Sequence, residues 1–106
     1  MNYQGKAVFI AGGSSGINLG IADAFAAAGA SVAILSRRQE KIDAALAQLR
    51  RHGGRAIGFA ADVRDFDAVA AALADAAAEL GPLDVLVSGA AGNFIAPAEQ
   101  LSSNGF

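Results

Sequence analysis

The sequence has no cysteine and no tryptophan, one tyrosine, one histidine and two prolines among 106 residues. Without cysteine there is neither a disulfide frame nor a thiolate metal site, and no metal is expected. Charge of one sign is not in surplus either. Eight Lys and Arg against ten Asp and Glu leave a formal net charge of −2. That supplies no basic patch, so nucleic acid is not an expected partner. No apolar run is long enough to span a membrane, and the N-terminus lacks the apolar core of a signal peptide, so no membrane partner is expected. A reducing cytoplasm fits the missing cysteines and is the expected location. What is present is apolar: 54% hydrophobic residues and 17% charged ones, a globular composition sized for one small domain.

The stretch Lys6 to Ala30 organises the rest. Ala7–Ala11 is an unbroken apolar run, as in a central parallel strand covered on both faces. Gly12–Gly16 is a glycine-rich turn, and a helix follows over about Ile17–Ala28, stopped by Gly29. Side chains in such a turn would hold a phosphate away from the backbone. Glycines expose N–H groups at a helix N-terminus, which attract an anion. Ser14 and Ser15 add hydroxyl donors. The spacing is not G-x-G-x-x-G, and no Gly-Lys-Ser/Thr follows as in a Walker loop. The alternative is a tight strand–helix turn with no ligand.

Strand and helix alternate onward. Ser31–Leu35 is a second strand. Gln39–His52 reads as a helix with Ile42, Ala45, Leu46 and Leu49 on one face, ended by Gly53 and Gly54. Ala56–Ala61 is a third strand. Asp65 is placed to cap a helix running to Leu80 with Val69, Leu73, Ala76 and Leu80 as its stripe, and Gly81-Pro82 terminates it. Leu83–Ser88 is the fourth strand, with Asp84 ordering its entry. Asn93–Phe106 is mixed and is read as the start of a further helix. Short β-α connections predict an α/β fold: a Rossmann-type doubly wound parallel sheet of order 3-2-1-4. The first two helices should cover one face and the third the other. The fourth strand should be an open edge. The ligand crevice should lie beyond the carboxyl ends of strands 1 and 4.

G-x-x-x-G after a buried strand resembles the short-chain dehydrogenase/reductase family, whose turn is usually T-G-x-x-x-G-x-G. Gly12 and Gly16 match it, Ala11 stands for the Thr, and Asn18 stands for the last Gly. The resemblance implies cofactor contacts along Gly12, Ser14, Ser15, Gly16, Ile17 and Asn18. The second strand ends Leu35-Ser36-Arg37-Arg38 without the carboxylate that NAD-binding sheets use for the ribose hydroxyls. A carboxylate there would repel a 2′-phosphate. Arg37 can pair with one, Arg38 is the alternative, and Ser36 can donate a hydrogen bond. One such charge-assisted bond contributes about 1.5–3 kcal/mol, so NADP(H) is favoured over NAD(H). After the third strand, Asp62-Val63 resembles the family's A-D-V beside the adenine pocket; the alternative is a capping Asp.

Ser88-Gly89-Ala90-Ala91-Gly92 stands where the family commonly has N-N-A-G, one residue longer and lacking the first Asn. Ser88, Gly89 and Ala90 are small enough for the backbone to approach a cofactor. The A-A-G-N-F form, with L-S-S-N-G-F beyond it, looks most like the 2,4-dienoyl-CoA reductase branch. The resemblance spans Lys6 to Phe106 and corresponds to the N-terminal, dinucleotide-binding part of a single Rossmann-type domain, apparently truncated. Its catalytic Tyr-x-x-x-Lys is not matched. Tyr3-Gln4-Gly5-Lys6 is one residue short and precedes the first strand, and His52 reads as a surface residue. No catalytic residue is therefore expected among these 106, and they should be inactive alone.

The resemblance implies a parent oxidoreductase that moves hydride to or from a carbonyl or conjugated enoyl substrate, with 2,4-dienoyl-CoA as one candidate. It further implies a small-molecule or acyl-CoA substrate and a homo-oligomeric parent. Two alternatives remain at this point: a non-enzymatic NADP(H)-binding or sensor module on the same fold, and a methyltransferase-like sheet, which the basic strand end suits less.

Overall fold

A computed structural model describes residues 2–14, 16–88 and 94–97. Strand β1 (Ala7–Ala11) leads into helix α1 (Gly16–Ala27), then β2 (Ser31–Ser36) and α2 (Gln39–Leu49). A 3-10 turn (Arg50–His52) precedes β3 (Ala56–Ala60), α3 (Phe66–Leu80), β4 (Val85–Ser88) and β5 (Phe94–Pro97). The sheet order is β3-β2-β1-β4-β5. The first four strands are parallel, in the expected order 3-2-1-4.

Alternation along the strands sorts the core into two layers. Val8 and Ile10 of β1, Val32 and Ile34 of β2 and Val87 of β4 point toward α1 and α2, which supply Ala22, Ala26, Ile42, Ala45, Leu46 and Leu49. Phe9, Ala33, Leu35 and Leu86 point the other way, onto Val69, Ala72 and Ala76 of α3. The expected division of helices between faces is therefore observed. Leu73 and Leu80 lie partly buried beside the second layer, so the stripe of α3 is centred one position further round than expected, on Ala72. Small residues on α1 and α3 let both helices sit close to the sheet. The larger contribution comes from the α2 side chains, at about 1.5–3 kcal/mol for each Leu or Ile fully buried.

Three local boundaries differ from expectation for identifiable reasons. The second helix tightens into its 3-10 turn at Arg50, and Gly53 closes it with φ +88°. Strand β4 begins at Val85 rather than Leu83. Asp84 is held as anticipated, but as an anchor before the strand: its carboxylate accepts from the Ala7 N–H at 2.9 Å and its own N–H donates to the Ala7 carbonyl at 2.8 Å. The third difference is larger. Phe94–Pro97 is not the start of a helix but a strand antiparallel to β4, with Ser88 opposite Phe94 and Val85 opposite Pro97. The described sheet is therefore mixed, and the β4 edge is not open. A connection of a few residues can return a chain only antiparallel, since a parallel neighbour needs a crossover. An uncovered edge of backbone donors and acceptors favours any segment able to pair.

Gly58 in β3 is a packing requirement. A Cβ there would collide with the Cγ2 of Ile42, with Leu46 Cδ1 at 3.4 Å. Gly58→Ala should therefore destabilise the protein by about 1–3 kcal/mol, as overpacking does. Urea unfolding followed by far-UV circular dichroism measures this, and an unchanged midpoint would show that α2 can move off the sheet.

Candidate cofactor site

Parallel pairing brings the strand ends level. Ala11 of β1 lies opposite Leu35 of β2 on one side and Ser88 of β4 on the other. The turn that follows β1 is fixed from beneath: the Gly12 N–H donates to the Leu35 carbonyl at 2.6 Å. Gly12 has φ +79° and Gly16 φ +62°, a region that side-chain-bearing residues rarely adopt. Gly13 serves a different purpose. A Cβ on it would stand 2.8 Å from Ile34 Cγ2 and 3.1 Å from Ile10 Cγ2, so it is glycine because the turn lies directly on the core.

A cleft of about 510 Å³ opens over the ends of β1, β2 and β3, whereas the crevice expected from sequence lay beyond strands 1 and 4; no described residue of β4 lines it. Gly12 and Ser14 line it from the first turn, Ser36, Arg37, Arg38 and Lys41 from the end of β2 and the first turn of α2, and Ala61, Asp62, Val63 and Arg64 from beyond β3. Seven residues singled out from sequence thus meet in one place: Gly12, Ser14, Ser36, Arg37, Arg38, Asp62 and Val63. Ser14 and Ser36 touch directly, hydroxyl to hydroxyl at 2.8 Å, and join the first turn to the end of β2. Lys41 and Arg64 were not anticipated. Lys41 could have been found from helical spacing, because the first turn of a helix starting at Gln39 carries it back beside Ser36–Arg38.

Gly16, Ile17 and Asn18 begin α1 next to this cleft. Ile17 is 73% exposed, an unusual setting for a large apolar side chain. Asn18 turns inward: its amide donates to the Ala11 carbonyl at 3.3 Å, while its buried Oδ1 has no hydrogen-bond partner among the described residues. Ser88 is buried at the end of β4, beside Ala11. Ser15, Gly89 and Ala90 lie outside the described residues.

The charges are distributed unevenly. Arg38 pairs with Glu40 at 2.7 Å, both largely exposed. Arg64 grips Asp62, with Nη2 2.8 Å and Nε 3.3 Å from Oδ2, and Nε 3.1 Å and the backbone N 2.9 Å from Oδ1. Arg37 and Lys41 make no ion pair among the described residues and leave two positive charges at the cleft wall. Hydroxyls, a glycine turn and two unpaired cations together suit an anionic ligand such as a phosphate ester. Among the described residues no group of His, Cys, Asp or Glu could hold a metal ion, and no helix is long and apolar enough to cross a membrane.

The remaining polar candidates are structural. His52 Nε2 lies 2.9 Å from Asp23 Oδ1, joining the end of the α2 segment to α1. Tyr3 packs edge-on against Phe25 with ring centroids 5.0 Å apart, next to the α1 layer of the core. Asp65, not Asp62, caps α3, accepting from the Ala68 N–H at 3.1 Å.

A parallel 3-2-1-4 sheet, helices on both faces and a glycine turn opening at the strand ends define a Rossmann-type domain. The family profile described as short chain dehydrogenase matches residues 6–106, and the chain belongs to that family. Among similar proteins, a peroxisomal 2,4-dienoyl-CoA reductase of Arabidopsis thaliana is 44% identical over 103 residues, covering 97% of this chain and 35% of that protein. D-threitol dehydrogenase of Mycolicibacterium smegmatis is 43% identical over 99 residues, or 93% of this chain and 38% of that protein. Two solved structures show the same fold. L-sorbose reductase from Gluconobacter frateurii, complexed with NADPH and L-sorbose, superposes with a TM-score of 0.77 at 33% identity, covering 81% of this chain and 33% of that one. An NAD+-bound xylitol dehydrogenase gives 0.78 at 27% identity, with 81% and 33% covered. The chain thus spans about a third of the length of the relatives it matches.

The Arg64 guanidinium, and then its backbone N–H, hold the Asp62 carboxyl below its ordinary 3.8, at about 2. A carboxyl lowered in the folded state stabilises it above the ordinary value, and that contribution disappears as pH falls through about 2. Carboxyl ¹³C NMR should show Asp62 titrating near 2, and Arg64→Gln should return it toward 3.8. An Asp62 that titrates normally in the unaltered protein would remove the ion pair from solution.

Proposed function

We propose that this chain is the cofactor-binding part of an NADP(H)-dependent oxidoreductase that moves hydride between the nicotinamide and a carbonyl or conjugated enoyl group. The observation that carries the cofactor choice is the end of β2. Ser36 and Arg37 open into the cleft beside Ser14, Arg37 makes no ion pair among the described residues, and β2 ends without a carboxylate to repel a 2′-phosphate. The fold itself is neutral on this point, since one similar structure holds NADPH and another NAD+.

The residues fit the dinucleotide. The turn from Gly12 to Asn18 would receive the pyrophosphate, with positive φ at Gly12 and Gly16 keeping side chains off the approach. Ser14 and Ser15 would donate to phosphate oxygens. Ser36, Arg37 and, after release from Glu40, Arg38 would hold the 2′-phosphate. Asp62 and Val63 would border the adenine, and Ser88, Gly89 and Ala90 the nicotinamide side of the crevice. Bound there, the dinucleotide supplies or accepts the hydride. This chain's own residues would bind and orient it. The groups that polarise the substrate belong to the rest of a longer protein, so residues 1–106 are assigned no catalytic residue.

For the substrate, the 2,4-dienoyl-CoA reductases among the relatives favour an acyl-CoA with conjugated double bonds. D-threitol dehydrogenase at comparable identity favours a carbonyl or polyol instead. Side-by-side assays of NADPH oxidation with a dienoyl-CoA and with ketoses separate the two.

Arg37→Glu in the full-length protein should weaken NADP(H) by one to two orders of magnitude, about the worth of one charge-assisted bond plus repulsion, and NAD(H) far less. Steady-state KM values for both cofactors provide the measurement. Equal losses for both would remove Arg37 from phosphate recognition.

A further inference from the structure

The sheet ends at β3 on one side, and among the described residues no strand pairs with its outer edge. The register decides which backbone groups stand there. The Val32 N–H donates to the Arg55 carbonyl at 3.0 Å, and the Ala61 N–H donates to the Ser36 carbonyl at 2.8 Å. Arg55, Ile57, Phe59 and Ala61 therefore turn their N–H and C=O toward β2, while Ala56, Gly58 and Ala60 turn theirs outward. The strand reads Ala-Ile-Gly-Phe-Ala and carries no charge. A short apolar strand with outward donors and acceptors is a template for another strand.

This edge is self-complementary. A second copy approaching antiparallel, about a two-fold axis at Gly58, would set Ala56 of each chain opposite Ala60 of the other. Arg50 stands in the way. From the 3-10 turn after α2, its Nε and Nη2 both donate to the outward Ala56 carbonyl, at 3.2 and 2.8 Å. Arg50 makes no ion pair among the described residues, so its charge stays at the edge. Because the pairing would be symmetric, one arginine per chain blocks both ends of the shared ladder and leaves only the glycine pair at its centre.

We propose that Arg50 guards the outer edge of β3 against pairing with a second copy of this chain. The inference does not depend on the cofactor reading. Edge strands are commonly protected by a charge on the strand itself. Here packing occupies those positions: Ala56 is buried, Ile57 and Phe59 pack on the α3 layer, and Gly58 lies under Ile42. The charge comes instead from the end of the neighbouring helix.

The test measures self-association of the full-length protein by light scattering. The unaltered protein should keep one mass from about 10 µM to about 500 µM, as a guarded edge requires. Arg50→Ala and Arg50→Met, the second of which keeps the aliphatic stem, should both rise toward about twice that mass over the same range, with unchanged far-UV circular dichroism. Hydrogen exchange locates the contact. The Gly58 and Ala60 amides should slow as the variants associate, whereas those of Ile57 and Phe59, already turned to β2, should not change. Variants that keep the mass of the unaltered protein overturn the proposal. So does association that leaves Gly58 and Ala60 exchanging at their original rates, which would put the new contact elsewhere. Unaltered protein that associates with protection of those two amides also overturns it, because the edge would then be open despite Arg50. Loss of the circular dichroism signal in both variants would make Arg50 a stabilising contact of the helix end and would overturn it equally.

Discussion

The geometry of the cleft depends on how little room there is above the end of β1. Ile10 and Ile34 fill the layer beneath the turn, and a single extra carbon at Gly13 would come within 2.8 Å of Ile34. The chain therefore leaves the sheet pressed against it. The Gly12 N–H is drawn onto the Leu35 carbonyl, and α1 starts within a few residues. Because β2 is parallel and in register, the same closeness brings Ser14 onto Ser36. A looser turn would separate the glycine backbone from the basic end of β2. The two halves of the cleft are joined through core packing rather than through a strong polar bond.

The start of α2 breaks local rules that α3 obeys. At α3, Asp65 caps the helix and Asp67 adds negative charge to the first turn. At α2 the capping position is Arg38, which makes no side-chain cap bond, and Arg37 and Lys41 place positive charge where the helix dipole is already positive. Glu40 offsets part of this through Arg38, in an exposed pair of small net effect. Local conflicts of this kind concentrate at functional sites. An anion between Arg37 and Lys41 would relieve the conflict, whereas a neutral ligand would leave it in place.

Much of this was legible in the sequence because it is local or periodic. Ala7–Ala11 reads as buried on both faces and is so, and the Ile42, Ala45, Leu46 and Leu49 stripe follows from helical spacing. Alternating elements with short connections dictate the order 3-2-1-4. What escaped was non-local or competitive. Phe94–Pro97 has no period long enough to distinguish strand from helix, and the β4 edge decides its state. The contact between Ser14 and Ser36 spans 22 positions and requires the register to be known. Arg64 lies in a turn, where spacing alone does not show that a neighbouring carboxylate is in reach.

Asn18 brings the two departures from the family turn into a single feature. Ala11 lacks the hydroxyl of the usual Thr, and Asn18 carries a side chain where glycine is usual. In the structure these positions meet, as the Asn18 amide donates to the Ala11 carbonyl. The carboxamide lies close under the turn, and a Cβ on Gly12 would stand 3.3 Å from its nitrogen, so Asn18 adds a second reason for glycine at that position. Its oxygen finds no donor among the described residues. A buried acceptor without a donor costs about 1–3 kcal/mol, and rotating the amide would not help, because it would set the oxygen against the Ala11 carbonyl. The sequence thus accepts a local penalty to tie the first turn of α1 to the end of β1. That tie stiffens the segment in which the proposed pyrophosphate contacts lie, where glycines alone would leave the backbone freer to move.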